Sequence, residues 1–467
     1  MGRKKLPAYS EVLIEDIAAE GKSIARIDDL VIFVKGAVPG DVVDLQVIRK
    51  RKNYQEAIIT KYISYSDMRQ EPFCDHFGTC GGCKWQNLPY AEQLKFKEKQ
   101  VLDALQRIAK LKISGIEPIM GSENTEFYRN KLEFTFSNHR WLTENETAKG
   151  TPIENTDALG FHVSGRFDRI VDVEKCYLQS DPSNIIRNTV KEFSLERGLS
   201  FYDHRTNEGL LRNLIVRTAT TGEVMVILSV QYDEPVIYEM MEDLHSKVPG
   251  ITSLMYVINQ KKNETLYDQE IKVFKGRDHI FENLEDLRFK IGPKSFFQTN
   301  SRQALNMYKK IRDYASLTGE EVVYDLYTGT GTIANFVASR AKRVVGIESV
   351  PEAIEDANVN SELNNIPNTS FFAGDMKDLF SAEFIEKNGT PDVLITDPPR
   401  AGMHQNVVEQ IMEISPKRIV YVSCNPATQA RDVELLSEKY EAVKCQPVDM
   451  FPHTHHIENI LLLELKS

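Results

Sequence analysis

Cysteine stands in two chemically different settings in this 467-residue sequence. Cys424 lies in Tyr421-Val-Ser-Cys-Asn-Pro426, between polar neighbours, where a strand-like run gives way to a helical one. A helix N-terminus favours thiolate over thiol, so this position suits a nucleophile. Glu458, in Phe451-Pro-His-Thr-His-His-Ile-Glu458, opens the last strand-like run and is a candidate general base. The second setting is Cys74-x5-Cys80-Gly-Gly-Cys83-x-Trp85, with Cys176 far downstream. Four thiolates hold either a tetrahedral zinc or an iron–sulfur cluster, and the spacing leaves both open. The Cys-x3-Cys-x2-Cys of a radical enzyme is absent. Cys445 falls in a strand-like run and reads as core. His453, His455 and His456 do not read as a metal site, because adjacent histidines face apart and no carboxylate is spaced to join them. Shaping a loop or meeting phosphate is the expectation for them.

A second group of residues points to a ligand with a ribose. The run 322–334 reads as a strand, then Gly329-x-Gly331, then a helix start. Glycines let the backbone turn sharply and approach a ligand closely, and Glu348, 17 residues beyond Gly331, ends the next strand where a carboxylate accepts both ribose hydroxyls. Taken alone, this pattern suits a nicotinamide cofactor equally well. Asp397-Pro-Pro-Arg-Ala-Gly402 then ends a later strand with a stiff loop that leaves Asp397 facing the cleft. A lone Asp-Pro-Pro is only a turn. After a glycine loop and an acidic ribose partner, it resembles an S-adenosylmethionine-dependent methyltransferase.

The elements that must position these residues fall into three segments. Residues 1–66 contain five strand-like runs, 11–17, 23–27, 30–35, 42–50 and 55–63, and predict a small OB-like barrel. Its stretch Arg49-Lys-Arg51-Lys-Asn-Tyr54 is either a solvated hairpin tip or a phosphate contact. Residues 67–290 mix a helix at 91–109 with strands at 131–137, 213–219 and 223–231, an α+β pattern. Residues 291–467 alternate strands (322–325, 343–347, 370–373, 392–396, 418–422) with helical stretches, the sign of a doubly wound α/β sheet. A last strand at 457–465 is expected to pair antiparallel with 442–448.

Composition narrows the class. Apolar residues are 41% and charged residues 27%, which excludes a disordered or collagen-like chain. The apolar run around 460–463 is far short of the roughly 18 residues of a membrane span. The start Met1-Gly-Arg-Lys-Lys-Leu-Pro lacks the apolar stretch of a secretory signal, and irregularly clustered cysteines suit a reducing, cytoplasmic setting. A net charge of −11 argues against a protein coated in nucleic acid but leaves room for a local basic track.

Together these motifs resemble the bacterial RNA 5-methyluridine methyltransferase family, nearly end to end. The resemblance implies an N-terminal TRAM domain, which is an RNA-binding OB-like barrel, and a class I methyltransferase domain at the C-terminus. It implies that Cys74, Cys80, Cys83 and Cys176 hold a [4Fe–4S] cluster, as in the cluster-bearing branch that modifies 23S rRNA. A structural role is expected for the cluster, with Trp85 packed beside it. Phe296-Phe-Gln298-Thr-Asn300 matches the segment that opens the catalytic domain; Gln298, Tyr327, Gly329, Gly331, Thr332, Glu348, Asp375 and Asp397 are the implied cofactor residues. One departure is Tyr327-Thr-Gly-Thr-Gly-Thr332, where some relatives carry Cys-Gly and a final Asn; both versions offer a polar side chain. Tyr128-Arg129-Asn-Lys131 and Leu211-Arg-Asn-Leu-Ile-Val-Arg217 imply RNA contacts. RNA is the implied partner, with 23S rRNA ahead of tRNA, and no protein partner is implied. By this resemblance Cys424 adds to carbon 6 of uracil, and Glu458 later removes the proton from carbon 5. The alternatives are methylation of an exocyclic amine, which needs no cysteine, and a non-catalytic RNA-binding or ribosome-assembly factor.

Overall fold

Period-two alternation shapes the N-terminal sheet in the computed structural model, which describes residues 6–111, 113, 115–148 and 155–467. Val43, Leu45 and Val47 are buried at alternate positions of Val42–Lys50, and they close on Ala25, Ile32, Val34 and Ala57. The sheet has six strands rather than five. The first run divides into Ala8–Leu13 and Asp16–Ile17, because Ile14 turns its amide to the Asp41 carbonyl at 2.8 Å. Arg49 and Arg51 are exposed near the turn between Val42–Lys50 and Tyr54–Ser64.

The middle sheet orders its strands Ile170–Asp172, Ala158–His162, Lys131–Ser137, Leu211–Thr218, Val224–Val230, Ser253–Ile258 and Ile271–Gly276. All neighbours are antiparallel except Val224–Val230 with Ser253–Ile258, which the crossover helix Pro235–Lys247 makes parallel. Helices Ser183–Glu196 and Pro235–Lys247 cover one face; Ile215, Met225 and Ile227 on the other share a core with helix Ser301–Ala315 of the next segment. Both faces are covered, which is why Val224–Val230 is buried along its whole length.

The C-terminal sheet runs Thr369–Ala373, Arg343–Glu348, Val322–Leu326, Val393–Thr396, Arg418–Ser423, Glu458–Leu465, Tyr440–Val448 and Gly115–Ile116. The first five are parallel, and Glu458–Leu465 enters antiparallel between Arg418–Ser423 and Tyr440–Val448. Order reverses at Val322–Leu326, so the crevice for a ligand lies at the carboxyl ends of this strand and Val393–Thr396.

Helix Tyr90–Arg107 departs from the expected grouping. Its residues Gln93, Lys97, Val101 and Leu105, four apart, form one buried stripe. Val101 and Leu105 join the core of the C-terminal sheet, and Lys97 Nζ pairs with Asp449 Oδ1 at 2.6 Å, both fully buried. Strand Gly115–Ile116 likewise adds to that sheet's edge. Sequence position groups this stretch with the middle segment; burial of its apolar stripe places it on the C-terminal one.

Candidate active site

The glycine loop is a left-handed turn repeated three times. After Val322–Leu326, Tyr327, Gly329 and Gly331 have φ of 65°, 57° and 72° before helix Thr332–Ala338 begins. A Cβ on Gly331 would sit 2.8 Å from the Ala357 Cβ, so backbone conformation and space both require glycine. The Gly329 amide donates to Glu348 Oε2 at 3.2 Å, which sets the carboxylate at the end of Arg343–Glu348 over the loop. Three buried polar atoms nearby have no hydrogen-bond partner, namely Asp325 Oδ1 and both side-chain atoms of Asn335. Burial pushes Asp325 up to about 7, against hydrogen bonds from the Thr328 hydroxyl and the Ala334 amide. Orphaned polar atoms beside an open glycine turn fit a polar ligand at this crevice. Thr332 is buried, with its hydroxyl 3.3 Å from that of Thr330. The Gln298 carbonyl is held by Asn130 Nδ2 at 2.9 Å. Asp375 is exposed, caps the short helix Met376–Leu379 and pairs with Lys377 Nζ at 2.9 Å, which helps hold its carboxyl below the ordinary range.

Cys424 follows strand Arg418–Ser423, and Asn425 caps helix Pro426–Leu436 by accepting from the Ala427 amide. Asp397 follows Val393–Thr396 and Glu458 heads Glu458–Leu465, so three strands deliver these side chains to one edge. Their fields act on one another: Glu458 and Asp397 both raise Cys424, and Asp397 raises Glu458. Burial raises all three first, the thiol to about 11, Asp397 to about 7, and Glu458 well above the ordinary carboxylate range. The helix N-terminus does not leave Cys424 a low-pKa thiol, because desolvation and two acids oppose it. Arg400, which the sequence reading did not single out, stands near the Cys424 sulfur, and its positive charge lowers the thiol pKa in part. Arg400 Nη2 also lies 3.3 Å from His456 Nδ1. Its signal was in plain view, as the last residue of Asp397-Pro-Pro-Arg400.

Cys74, Cys80, Cys83 and Cys176 line a single cavity of about 180 Å³ whose walls include Leu132, Phe161 and Leu178. All four are free thiols. Burial pushes Cys80 up to about 11 and Cys83 to about 12, and neighbouring cysteines of the set add to both. Among the described residues, no group of three or more His, Cys, Asp or Glu is set to hold a metal ion. Trp85 does not pack beside these thiols; it is buried against Ile17, Val38 and Leu88, between barrel and helix. The histidines shape a loop: the His453 carbonyl accepts from the Lys84 and Trp85 amides at 2.8 and 3.1 Å, and its amide donates to Gln93 Oε1 at 2.9 Å. Burial lowers His453, His455 and His456 to between about 3 and about 4, which leaves them uncharged and poor phosphate ligands.

The basic residues divide. Arg129 stacks its guanidinium 5.3 Å above Phe451, with Nε buried and unpartnered, next to the thiol cavity. Lys131 lines a separate cavity beside Phe296. The contacts of Arg49 and Arg51 stay within the barrel, for example Arg49 to Glu56 at 4.0 Å. No helix among the described residues is long and apolar enough to cross a membrane.

Comparison with known proteins agrees with this geometry. A family profile described as tRNA (Uracil-5-)-methyltransferase matches residues 267–466, and a TRAM domain profile matches residues 7–60. A Bacteroides thetaiotaomicron protein named an uncharacterized RNA methyltransferase is 58% identical over 454 residues, covering 96% of this chain and 100% of its own. A Porphyromonas gingivalis protein of the same name is 54% identical, covering 96% and 98%. Among solved structures, the Pyrococcus abyssi tRNA (uracil-54, C5)-methyltransferase in complex with S-adenosyl-L-homocysteine superposes with a TM-score of 0.75 at 29% identity, covering 97% and 99% of the two chains.

Proposed function

The chain belongs to the RNA uracil-5-methyltransferase family, and from that premise we propose that it methylates carbon 5 of a specific uridine through a covalent bond to Cys424. The observation that carries this reading is the meeting of a thiol, a guanidinium and two buried carboxyls at one sheet edge beside a glycine loop.

Carbon 5 of uracil is a poor nucleophile until a group adds at carbon 6. The Cys424 sulfur forms a bond to carbon 6, and the displaced electron pair gathers as an enolate that makes carbon 5 nucleophilic. S-adenosylmethionine supplies the electrophilic methyl group and a positive charge when bound. Glu348, set over the glycine loop, would accept the ribose hydroxyls, and Gln298, Tyr327, Thr332, Asp375 and Asp397 would serve the rest of the cofactor, with the unpartnered atoms of Asp325 and Asn335 in support. Glu458 then takes the proton from carbon 5; that electron pair re-forms the 5,6 double bond and expels the Cys424 thiolate. Before attack the thiol gives its proton to water, and Arg400, the cation nearby that lowers its pKa, favours this. A uridine reaches Cys424 only by leaving its stack, so RNA contacts have to offset a few kcal/mol of unstacking.

The four thiols around one cavity support a [4Fe–4S] cluster over a single zinc. Cys74, Cys80, Cys83 and Cys176 would hold the cluster, whereas a single zinc would need its sulfurs gathered about one point, and among the described residues no such group is set. The role proposed for it is structural. Cys83 precedes Lys84 and Trp85, whose amides hold the His453 carbonyl in the loop that leads to Glu458. For substrate we favour 23S rRNA, on the pairing of a TRAM barrel with this thiol set. The likeness to a tRNA uracil-54 enzyme supports tRNA as the second reading.

The test is transfer of labelled methyl from S-adenosylmethionine to separate pools of unmodified ribosomal and transfer RNA, followed by nucleoside analysis. Label in 5-methyluridine is expected, and the pool that carries it names the substrate class. Label in a methylated amino base would overturn the role of Cys424.

A further inference from the structure

A second cavity, of about 390 Å³, opens where the middle sheet meets residues 293–299. Lys131 and Glu133 are two apart on one strand and therefore share a face; Arg217 lies directly across from Lys131 in the antiparallel pair. Arg217 is 6% exposed and donates to the Gly292 and Ser295 carbonyls at 2.9 and 2.7 Å, holding the turn that presents Phe296. Glu264 enters from a loop after Ser253–Ile258, with Oε2 buried and without a hydrogen-bond partner. Tyr267 and Phe296 line the same space yet are 69% and 64% exposed, large aromatic surfaces left in water. Burial pushes Glu264 up to about 7 and Glu133 upward, while burial and Arg217 push Lys131 down.

This cavity adjoins the active site through one backbone segment. The Phe296 carbonyl accepts from the Thr330 hydroxyl of the glycine loop at 3.4 Å, and Gln298 follows two residues later. Resting on the uridine-methylation reading above, we propose that the cavity captures one further unstacked nucleobase of the RNA, a neighbour of the target uridine. Its ring lies against Tyr267 and Phe296, and Lys131 and Glu264 meet its edge. Base–aromatic stacking is a recurrent way to hold unpaired nucleotides. A base is favoured over a phosphate because the wall carries both signs, Glu133 and Glu264 among Lys131, Lys294 and Arg217, with Arg217 already engaged by the Gly292 and Ser295 carbonyls and two bare aromatic rings at the rim. A lysine donor beside a carboxyl acceptor instead complements a base with a ring acceptor next to an amino group, as in adenine, cytosine or guanine.

The experiment is an abasic scan. The probe is the shortest RNA fragment that the wild-type protein methylates, with each base flanking the target uridine removed in turn and the backbone left intact. Fragments are assayed with the wild type, Tyr267→Ala and Lys131→Met, each first shown to bind S-adenosylhomocysteine like the wild type. One flanking position is expected to raise the wild-type KM for RNA about tenfold when its base is removed. The same removal should add nothing further in Tyr267→Ala, because the stacking platform is already gone. Penalties that are identical in Tyr267→Ala and wild type at every position overturn the proposal while leaving uridine methylation intact. A flat scan in which only Lys131→Met weakens the salt dependence also overturns it, in favour of a phosphate contact. A wild-type protein that methylates no RNA overturns both readings together.

Discussion

Cys424 and the four-thiol cavity are both sets of half-buried to buried cysteines with raised pKa values, yet their surroundings differ in kind. Around Cys424 stand Arg400, Asp397 and Glu458, groups that move protons and charge. Around Cys74, Cys80, Cys83 and Cys176 stand Leu132, Phe161 and Leu178 together with the cations Arg129 and Lys175, and no carboxylate lines the cavity. Burial disfavours thiolate in both places, but only one supplies partners for chemistry on a substrate. The other has cations that favour thiolate in part, Arg129 and Arg187 at Cys176, but no carboxylate placed to take a proton. A cysteine's role is decided by what faces its sulfur rather than by how deeply it lies. Cys445 makes the third case: fully buried in a strand and hydrogen-bonded to Asn459 at 3.2 Å, it is core.

The comparison breaks outright if Cys424 is dispensable. Cys424→Ala is expected to lower methylation by more than about 10⁴-fold and to form no denaturation-resistant protein–RNA adduct, read by label transfer and gel. Glu458→Gln sharpens the assignment of the base: turnover should fall about 10²–10⁴-fold while the covalent adduct accumulates, since elimination waits on the carbon 5 proton. Because Glu458 must be ionised to take the carbon 5 proton and the thiol must lose its own, kcat/KM for RNA should rise from about pH 6 to about pH 9; a profile falling over that range would contradict the roles given to Glu458 and Cys424.

At the other site the expected effects are on folding. Cys83→Ser should remove the absorbance near about 400 nm and lower folded yield and RNA affinity together, through the Lys84 and Trp85 amides that hold the His453 loop. A cluster-free protein with full activity and unchanged melting would sink the structural role. The smallest effect expected is a gain. Asp397 is raised in the fold, so its protonated form stabilises the protein below the unfolded pKa, and that stability is lost as pH rises towards about 7. Asp397→Asn should therefore raise the apoprotein Tm by on the order of a few degrees at about pH 8, with little change near about pH 4, while abolishing activity.

Much of this was legible along the chain because it depends on short-range pattern. The parallel strands of the C-terminal sheet carry near-continuous apolar runs, and Gly329 and Gly331 announce a left-handed turn. The antiparallel return of Glu458–Leu465 beside Tyr440–Val448 was also visible, since both runs are long and closely spaced. Helix Tyr90–Arg107 was visible as a helix but not as part of the C-terminal core, because a stripe four residues apart says that one face is buried and not against what. Trp85 beside cysteines looked like their neighbour, yet its ring turned the other way to fill the seam with the barrel.

By itself the sequence determined the family, the three kinds of segment and the residue types that do chemistry, since these are properties of local order and spacing. Only the tertiary structure decided what each group feels. It set Arg400, Glu458 and Asp397 near the Cys424 thiol, and brought Cys176 to the same cavity as Cys74, Cys80 and Cys83. It also left Tyr267 and Phe296 bare beside Lys131 and Glu264. Field strength, burial and shape depend on residues far apart in the chain, and no spacing along it encodes them.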